Sequence, residues 1–426
     1  MMKKFLLALT IAFGLLLFNA PPAVAAEGIA PYANLTLWSA WNYQTAELGE
    51  STVLINELEP SLHNRIDHQT DLTATASSFI GFTGEKNDVT MKAEVGVYPF
   101  SVTGKATMVT IRYFYGDYKF GPFGLRGGYD LAPYTAINRK DVCDGEAFAD
   151  AALFESFQPQ LRLSAWGAYF QIMRVVTSNE GLYLDTGLVM RTSGGSLVGT
   201  PVLTLTSNTK TFLPKMALGY TYSAEKISLG VHGIFQTYWI DEVRSRNNGE
   251  AITAALGSVA MSGNFGPVSL NISGFAGQNP GELGIFTNNN KNGSYSPFHP
   301  SANNKAKMDT LFKVYNTLGL GFSLSAGYTI GFLQINSGFA YDRDKNEIFK
   351  FQPMWPTDID DSYAIFADMI FSITPNMRLV PTIKVVNYLK TAANVFQSYD
   401  QDGKPLPQKP VEGVLARFGF AFQASI

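Results

Sequence analysis

From Leu318 to Ile330 the chain reads LGLGFSLSAGYTI, with Leu318, Leu320, Phe322, Leu324, Ala326, Tyr328 and Ile330 separated only by Gly, Ser and Thr. A period of two sends alternate side chains to opposite faces of an extended strand. The following stretch places Leu333, Ile335, Phe339 and Tyr341 on one face and Gln334, Asn336 and Asp342 on the other. Ile227, Leu229, Val231, Phe235 and Trp239 oppose Ser228, His232 and Gln236 in the same way. The pattern predicts strands near 32–43, 71–83, 89–98, 106–119, 123–131, 160–173, 182–191 and 211–222. It continues near 226–238, 251–264, 268–276, 317–329, 332–342, 362–373, 377–388 and 413–426. Alternation alone does not distinguish a sandwich from a barrel.

The connections make that distinction. Every second link is short, as in EKND (85–88), GP (121–122), SAEK (223–226), GP (266–267) and TPN (374–376). The others are mostly long, near 44–70, 132–159, 192–210, 239–250, 277–316, 343–361 and 389–412. Antiparallel strands with tight turns at one end and long loops at the other describe an all-β, transmembrane outer-membrane barrel of about sixteen strands, with eighteen as the neighbouring even count. Tyr220, Tyr222, Tyr328 and Phe371 fall near the short-turn ends, and Tyr43, Trp239, Tyr341 and Tyr363 near the long-loop ends. Two such aromatic girdles suit the two membrane interfaces. The outer-membrane lipid is thus the first expected partner.

The N-terminus adds a route to that membrane. Lys3 and Lys4 precede an apolar run from Phe5 to Phe18, and Ala23-Val24-Ala25 gives the small-x-small pattern of a cleavage site. Residues 1–25 read as a cleaved signal peptide, which leaves 26–426 as one barrel domain in a Gram-negative outer membrane. Setting aside Lys3 and Lys4 from the 32 basic residues leaves 30 against 35 acidic ones, a balance of −5. No basic surplus points to nucleic acid. Only 16% of residues are charged while 46% are hydrophobic, and no apolar block after the signal is long enough for a spanning helix. Cys143 is the single cysteine, and no CxxC, HExxH or GxSxG pattern occurs. No cofactor, metal or enzymatic activity is expected.

If apolar positions face lipid, their neighbours face inward. The third to sixth strands then bring Lys92 with Glu94, Arg112, Arg126 with Asp130, and Arg162 to the lumen. Lys92, Arg112, Arg126 and Arg162 form either a basic wall or a set of scattered solvated side chains. The long loop near 132–159 carries Asp141, Asp144, Glu146 and Asp150. Folded inward, these acids would face the wall across a constriction, where opposed charges focus the field and set ion preference; folded outward, they would form an acidic extracellular surface. Trp166, Phe275, Phe366 and Tyr388 read as inward aromatics.

The final segment, ARFGFAFQASI, alternates to the last residue, with Phe418, Phe420, Phe422 and Ile426 on the lipid face. Paired with a strand beginning near Tyr32, it would close the barrel and remove an otherwise hazardous edge.

Two places carry a family resemblance. The stretch SSFIGFTGEKNDVTMKAEVGVY, from Ser77 to Tyr98, resembles the early hairpin of Gram-negative general diffusion porins, and the last strand resembles their C-terminal signature of alternating aromatics. The resemblance implies a sixteen-stranded homotrimer narrowed by its third loop. It also implies a final strand recognised by the barrel-assembly machinery. Ile426 departs from the usual terminal Phe, and the third loop lacks the family's Pro-Glu-Phe-Gly-Gly-like run. The function expected is passive diffusion of small hydrophilic solutes and ions, with a channel specific for a sugar, carboxylate or aromatic solute as the alternative.

Overall fold

A computed structural model describes residues 28–44, 66–74, 78–100, 106–132, 154–155, 158–175, 189–193, 196–200, 207–242, 250–283, 285–286, 316–346, 359–391 and 411–426. Most of these form one closed antiparallel barrel of sixteen staves, with no α-helix among the described residues. The first eight are β1 (Ile29–Gln44), β2 (Ile66–Ala74 continued by Phe79–Lys86), β3 (Val89–Phe100), β4 (Ala106–Phe120), β5 (Phe123–Asp130), β6 (Gln158–Ala165), β7 (Ala168–Met173) and β8 (Ser207–Lys210 continued by Lys215–Ser223). The second eight are β9 (Ile227–Glu242), β10 (Glu250–Phe265), β11 (Val268–Gln278), β12 (Thr317–Ile330), β13 (Leu333–Asn346), β14 (Ile359–Thr374), β15 (Met377–Thr391) and β16 (Val411–Ser425).

Each stave pairs with its neighbours in sequence, and β16 returns to β1. There Leu37 lies opposite Phe422, Ser39 opposite Phe420 and Trp41 opposite Phe418. Ala33 and Ile426 exchange reciprocal backbone hydrogen bonds of 3.2 and 3.1 Å, so the seam is bonded to the last residue. Closure matters because each unpaired backbone group in hydrocarbon costs several kcal/mol. Phe418, Phe420 and Ile426 are exposed on the outer face, as the alternation requires.

The count of sixteen conceals two corrections. The expected strand at 160–173 is in fact two staves, β6 and β7, joined by a tight turn at Trp166-Gly167 with φ of 50° and 86°. A Cβ at Gly167 would collide with the carbonyl of Thr221, so only glycine fits. The expected strand at 182–191 is no stave: Val189–Ser193 pairs with Ser196–Thr200 in a separate hairpin, and 182–188 lie outside the described residues. Trp166 therefore does not face the lumen. It is 73% exposed and stands edge-on to Phe123, 5.3 Å between centroids. Phe123 stacks on Phe120 and Phe120 on Tyr118, extending the aromatic rim at the short-turn end.

The outer surface is apolar in the region midway between the two rims. Leu218, 65% exposed, lies opposite Gly233 in register, between the Tyr222–Leu229 pair and Trp239. Leu218→Arg should cost about 2–4 kcal/mol, the range for a base at the bilayer midplane. Equilibrium urea unfolding from lipid vesicles would check this.

The inner surface is not uniformly polar. On β8–β11 the inward residues Ala217, Ile234, Leu256 and Phe275 form a buried apolar cluster, covered by Ala132 and Leu283 from two of the long connections. Burial against those residues, away from water, explains why apolar side chains are tolerated on a lumen face.

Candidate pore-lining site

The four bases expected to line the pore occupy adjacent staves: Lys92 on β3, Arg112 on β4, Arg126 on β5 and Arg162 on β6. A β-bulge places one of them. Between the pairs Glu94–Tyr113 and Val95–Ile111 the register of β3 and β4 slips, leaving Arg112 as the extra residue. Ile111 and Phe114 point outward, so Arg112 and Tyr113 both turn inward side by side. A bulge re-aims a side chain in this way at the cost of one ladder position. Gly96 makes the room, since a Cβ there would run into the Arg112 side chain.

Acids on the same staves pair with these bases. Glu94, with its side chain 2% exposed, forms ion pairs with Arg112, 2.7 Å from Nε, and with Lys92, 3.4 Å from Nζ. Its Oε2 also accepts the Tyr32 hydroxyl at 2.8 Å. Arg126 donates from Nε and Nη2 to Asp117 Oδ2 at 3.2 and 2.6 Å, and from Nη1 to Asp130 at 2.8 Å. Arg126 and Arg162 stand directly opposite in register, an arrangement that repels. Asp130 relieves it by reaching both, with Arg162 Nη2 at 3.8 Å. Among the described residues of this network, four bases against three acids leave one net positive charge.

Aromatic rings hold the cations in place. Lys92 Nζ lies 3.7 Å from the Tyr113 ring centroid, Arg126 4.2 Å from Tyr115 and Arg112 4.7 Å from Phe79. Such contacts are worth about 0.5–2 kcal/mol according to desolvation, and they fix side chains that would otherwise sample many rotamers. A cavity of about 500 Å³ opens against this wall, bounded by Lys92, Arg126 and Arg162 on one side and by His232, Ser262 and Asn271 on the other. His232 is held through Nδ1, 2.9 Å from the Tyr169 hydroxyl.

The acids Asp141, Asp144, Glu146 and Asp150 lie outside the described residues. Both ends of their loop are placed, however. Ala132 is buried in the apolar cluster, and Phe154–Glu155 pairs antiparallel with Ile285–Phe286 from the connection between β11 and β12. Across the barrel from β5 and β6, the staves β13 and β14 carry the inward, buried carboxylates Asp342, Asp344 and Asp368. Sequence reasoning set Asp342 on a polar face without giving it a role, and it passed over Asp117, Asp344 and Asp368. Their signal was their alternation phase, the same that located the bases.

No protein-family model matches the chain, and no characterised protein matches it in sequence. Solved structures do resemble it. The outer membrane channel DcaP of Acinetobacter baumannii superposes with a TM-score of 0.58 at 13% identity, over 94% of this chain and 99% of that one. The anion-selective porin from Comamonas acidovorans gives 0.51 at 11% identity, over 93% and 99%. At these identities the likeness is one of fold, and the fold is that of the sixteen-stranded outer-membrane porins.

Proposed function

We propose that the chain is a water-filled channel of a Gram-negative outer membrane, passing small hydrophilic solutes and ions by diffusion. The observation that carries this reading is the compensated charge network of β3–β6 facing a cavity inside a closed barrel whose outer surface is apolar. A wall with a small positive excess opposite the carboxylates of β13–β14 sets a field across the lumen, and the low-dielectric protein focuses it. Small polar solutes align with such a field, whereas apolar ones must disrupt ordered water. The acids of the third loop would add to the negative side. Residues 1–25 act as a cleaved export signal and 26–426 as the barrel. The last strand, with Phe418, Phe420, Phe422 and Ile426, serves as the assembly signal, and three copies associate. The chain performs no catalysis.

Purified protein in a planar bilayer should give stepwise, ohmic conductance; its absence would refute the channel reading. The tyrosine rings against Lys92 and Arg126 favour one second reading, a channel selective for solutes with a planar face. Saturable block of the current by one solute class would select it over unspecific diffusion.

A further inference from the structure

The described start of the connection leaving β11, residues 279–283, packs on the inner face of the barrel. Asn279 starts the turn in the left-handed region, with φ of 53°. Its side chain is bonded on both sides: Nδ2 donates to the Thr253 carbonyl at 2.9 Å and to Asn316 Oδ1 at 2.8 Å, and Oδ1 accepts from the Thr317 amide at 2.8 Å. Thr253 belongs to β10 and Thr317 to β12, so the foot of the turn is tied to the staves flanking β11. Pro280–Leu283 then forms one 3-10 turn. Lys215, an inward residue of β8 with no exposed surface, donates from Nζ to the Leu283 carbonyl at 2.5 Å. The Leu283 side chain is buried among Phe275, Leu256 and Ile234. Beyond it, Ile285–Phe286 gives the third loop a strand to pair with.

An ammonium withdrawn from water is costly unless it is well bonded. A chain gains from burying one here only if the contact holds something in place. We infer that the turn 279–283, fastened by Lys215 and Asn279, is a size-setting element of the pore, and that it docks the third loop. The bore is then fixed from the β8–β11 side by a wall-anchored turn, while β3–β6 carry the basic network.

This inference rests on the channel reading, and the test separates the two. Lys215→Met keeps the stem and removes the ammonium, Asn279→Ala removes the foot, and Lys226→Met, on the exposed turn between β8 and β9, is the control. Single-channel conductance of the first two should rise roughly 1.5-fold or more, because flow through a wide pore follows its narrowest section. Liposome swelling should admit larger sugars, and the control should match wild type. Excising 280–315 behind a short Gly-Ser link should enlarge the pore likewise, and it carries the test if Lys215→Met does not fold. A wild type that does not conduct refutes the channel reading. A conducting wild type, with folded variants of unchanged conductance and sugar limit, refutes the size-setting turn alone.

Discussion

Replacing Arg126 and Arg162 together by methionine is expected to shift the reversal potential in a salt gradient strongly toward cation selectivity. The native wall has four bases and three acids; the double variant has two bases and the same three acids. Two unit charges are removed from the lining of the lumen cavity. At roughly 6 Å and an effective dielectric constant of about 20, each is worth about 2–3 kcal/mol before screening. Salt at about 0.1 M, with a Debye length of about 10 Å, leaves a good part of this in place. Since about 1.4 kcal/mol is a factor of ten, the anion-to-cation permeability ratio should fall by about tenfold or more. Arg126 contributes the larger share, because its loss releases both Asp117 and Asp130. Arg162→Met alone should act in the same direction and more weakly. An unchanged reversal potential in the double variant would exclude these side chains from the conduction path.

Glu94→Gln is expected to act in the opposite direction and to weaken the barrel. Its carboxylate is the shared partner of Lys92, Arg112 and the Tyr32 hydroxyl. The amide keeps the shape and accepts hydrogen bonds, but it leaves two cations without their counter-charge. For a deeply buried pair such a loss costs about 3–5 kcal/mol. Lys92 and Arg112 keep 23% and 17% of their side-chain surface exposed and can recruit water, so about 1–3 kcal/mol is the fitting range. Urea unfolding reads that loss. The wall's excess meanwhile rises from one charge to two, and the permeability ratio should move several-fold toward anions. Wild-type stability together with wild-type selectivity would remove Glu94 from the network as described.

The architecture was legible in the sequence because lipid outside and water inside impose opposite demands on successive residues. Leu318 to Ile330 shows this without exception, and so does the last strand. The turn at Trp166-Gly167 was not legible, since a bulky residue at positive φ carries none of the Asn-Gly signature of tight hairpins. Its one trace is a change of phase: Leu161 and Leu163 face outward on odd numbers, Phe170 on an even one. The bases were found by phase, yet their pairing was not. Glu94 and Asp117 lie on the same face as Lys92 and Arg126, and only the stagger between staves decides which acid meets which base. The bulge at Arg112 was hidden for the same reason, because a single extra residue shows only against its partner strand. The inward turn at Asn279 lay beyond periodicity altogether. It depends on hydrogen bonds to β10 and β12 and on a lysine from β8.

The seam between Ala33 and Ile426 has a kinetic consequence. Every other stave pairing joins strands that follow one another along the chain, so none of them spans more than a single connection. The β1–β16 contact alone requires the two ends of the chain to find each other. Until they do, the nascent sheet has two open edges, each with unpaired amides and carbonyls that hydrocarbon does not tolerate. Pairing over such sequence separation is intrinsically slow. The barrel is therefore most exposed to aggregation just before its last bonds form, and a protein that shields the two edges during that interval would raise the yield without altering the final structure.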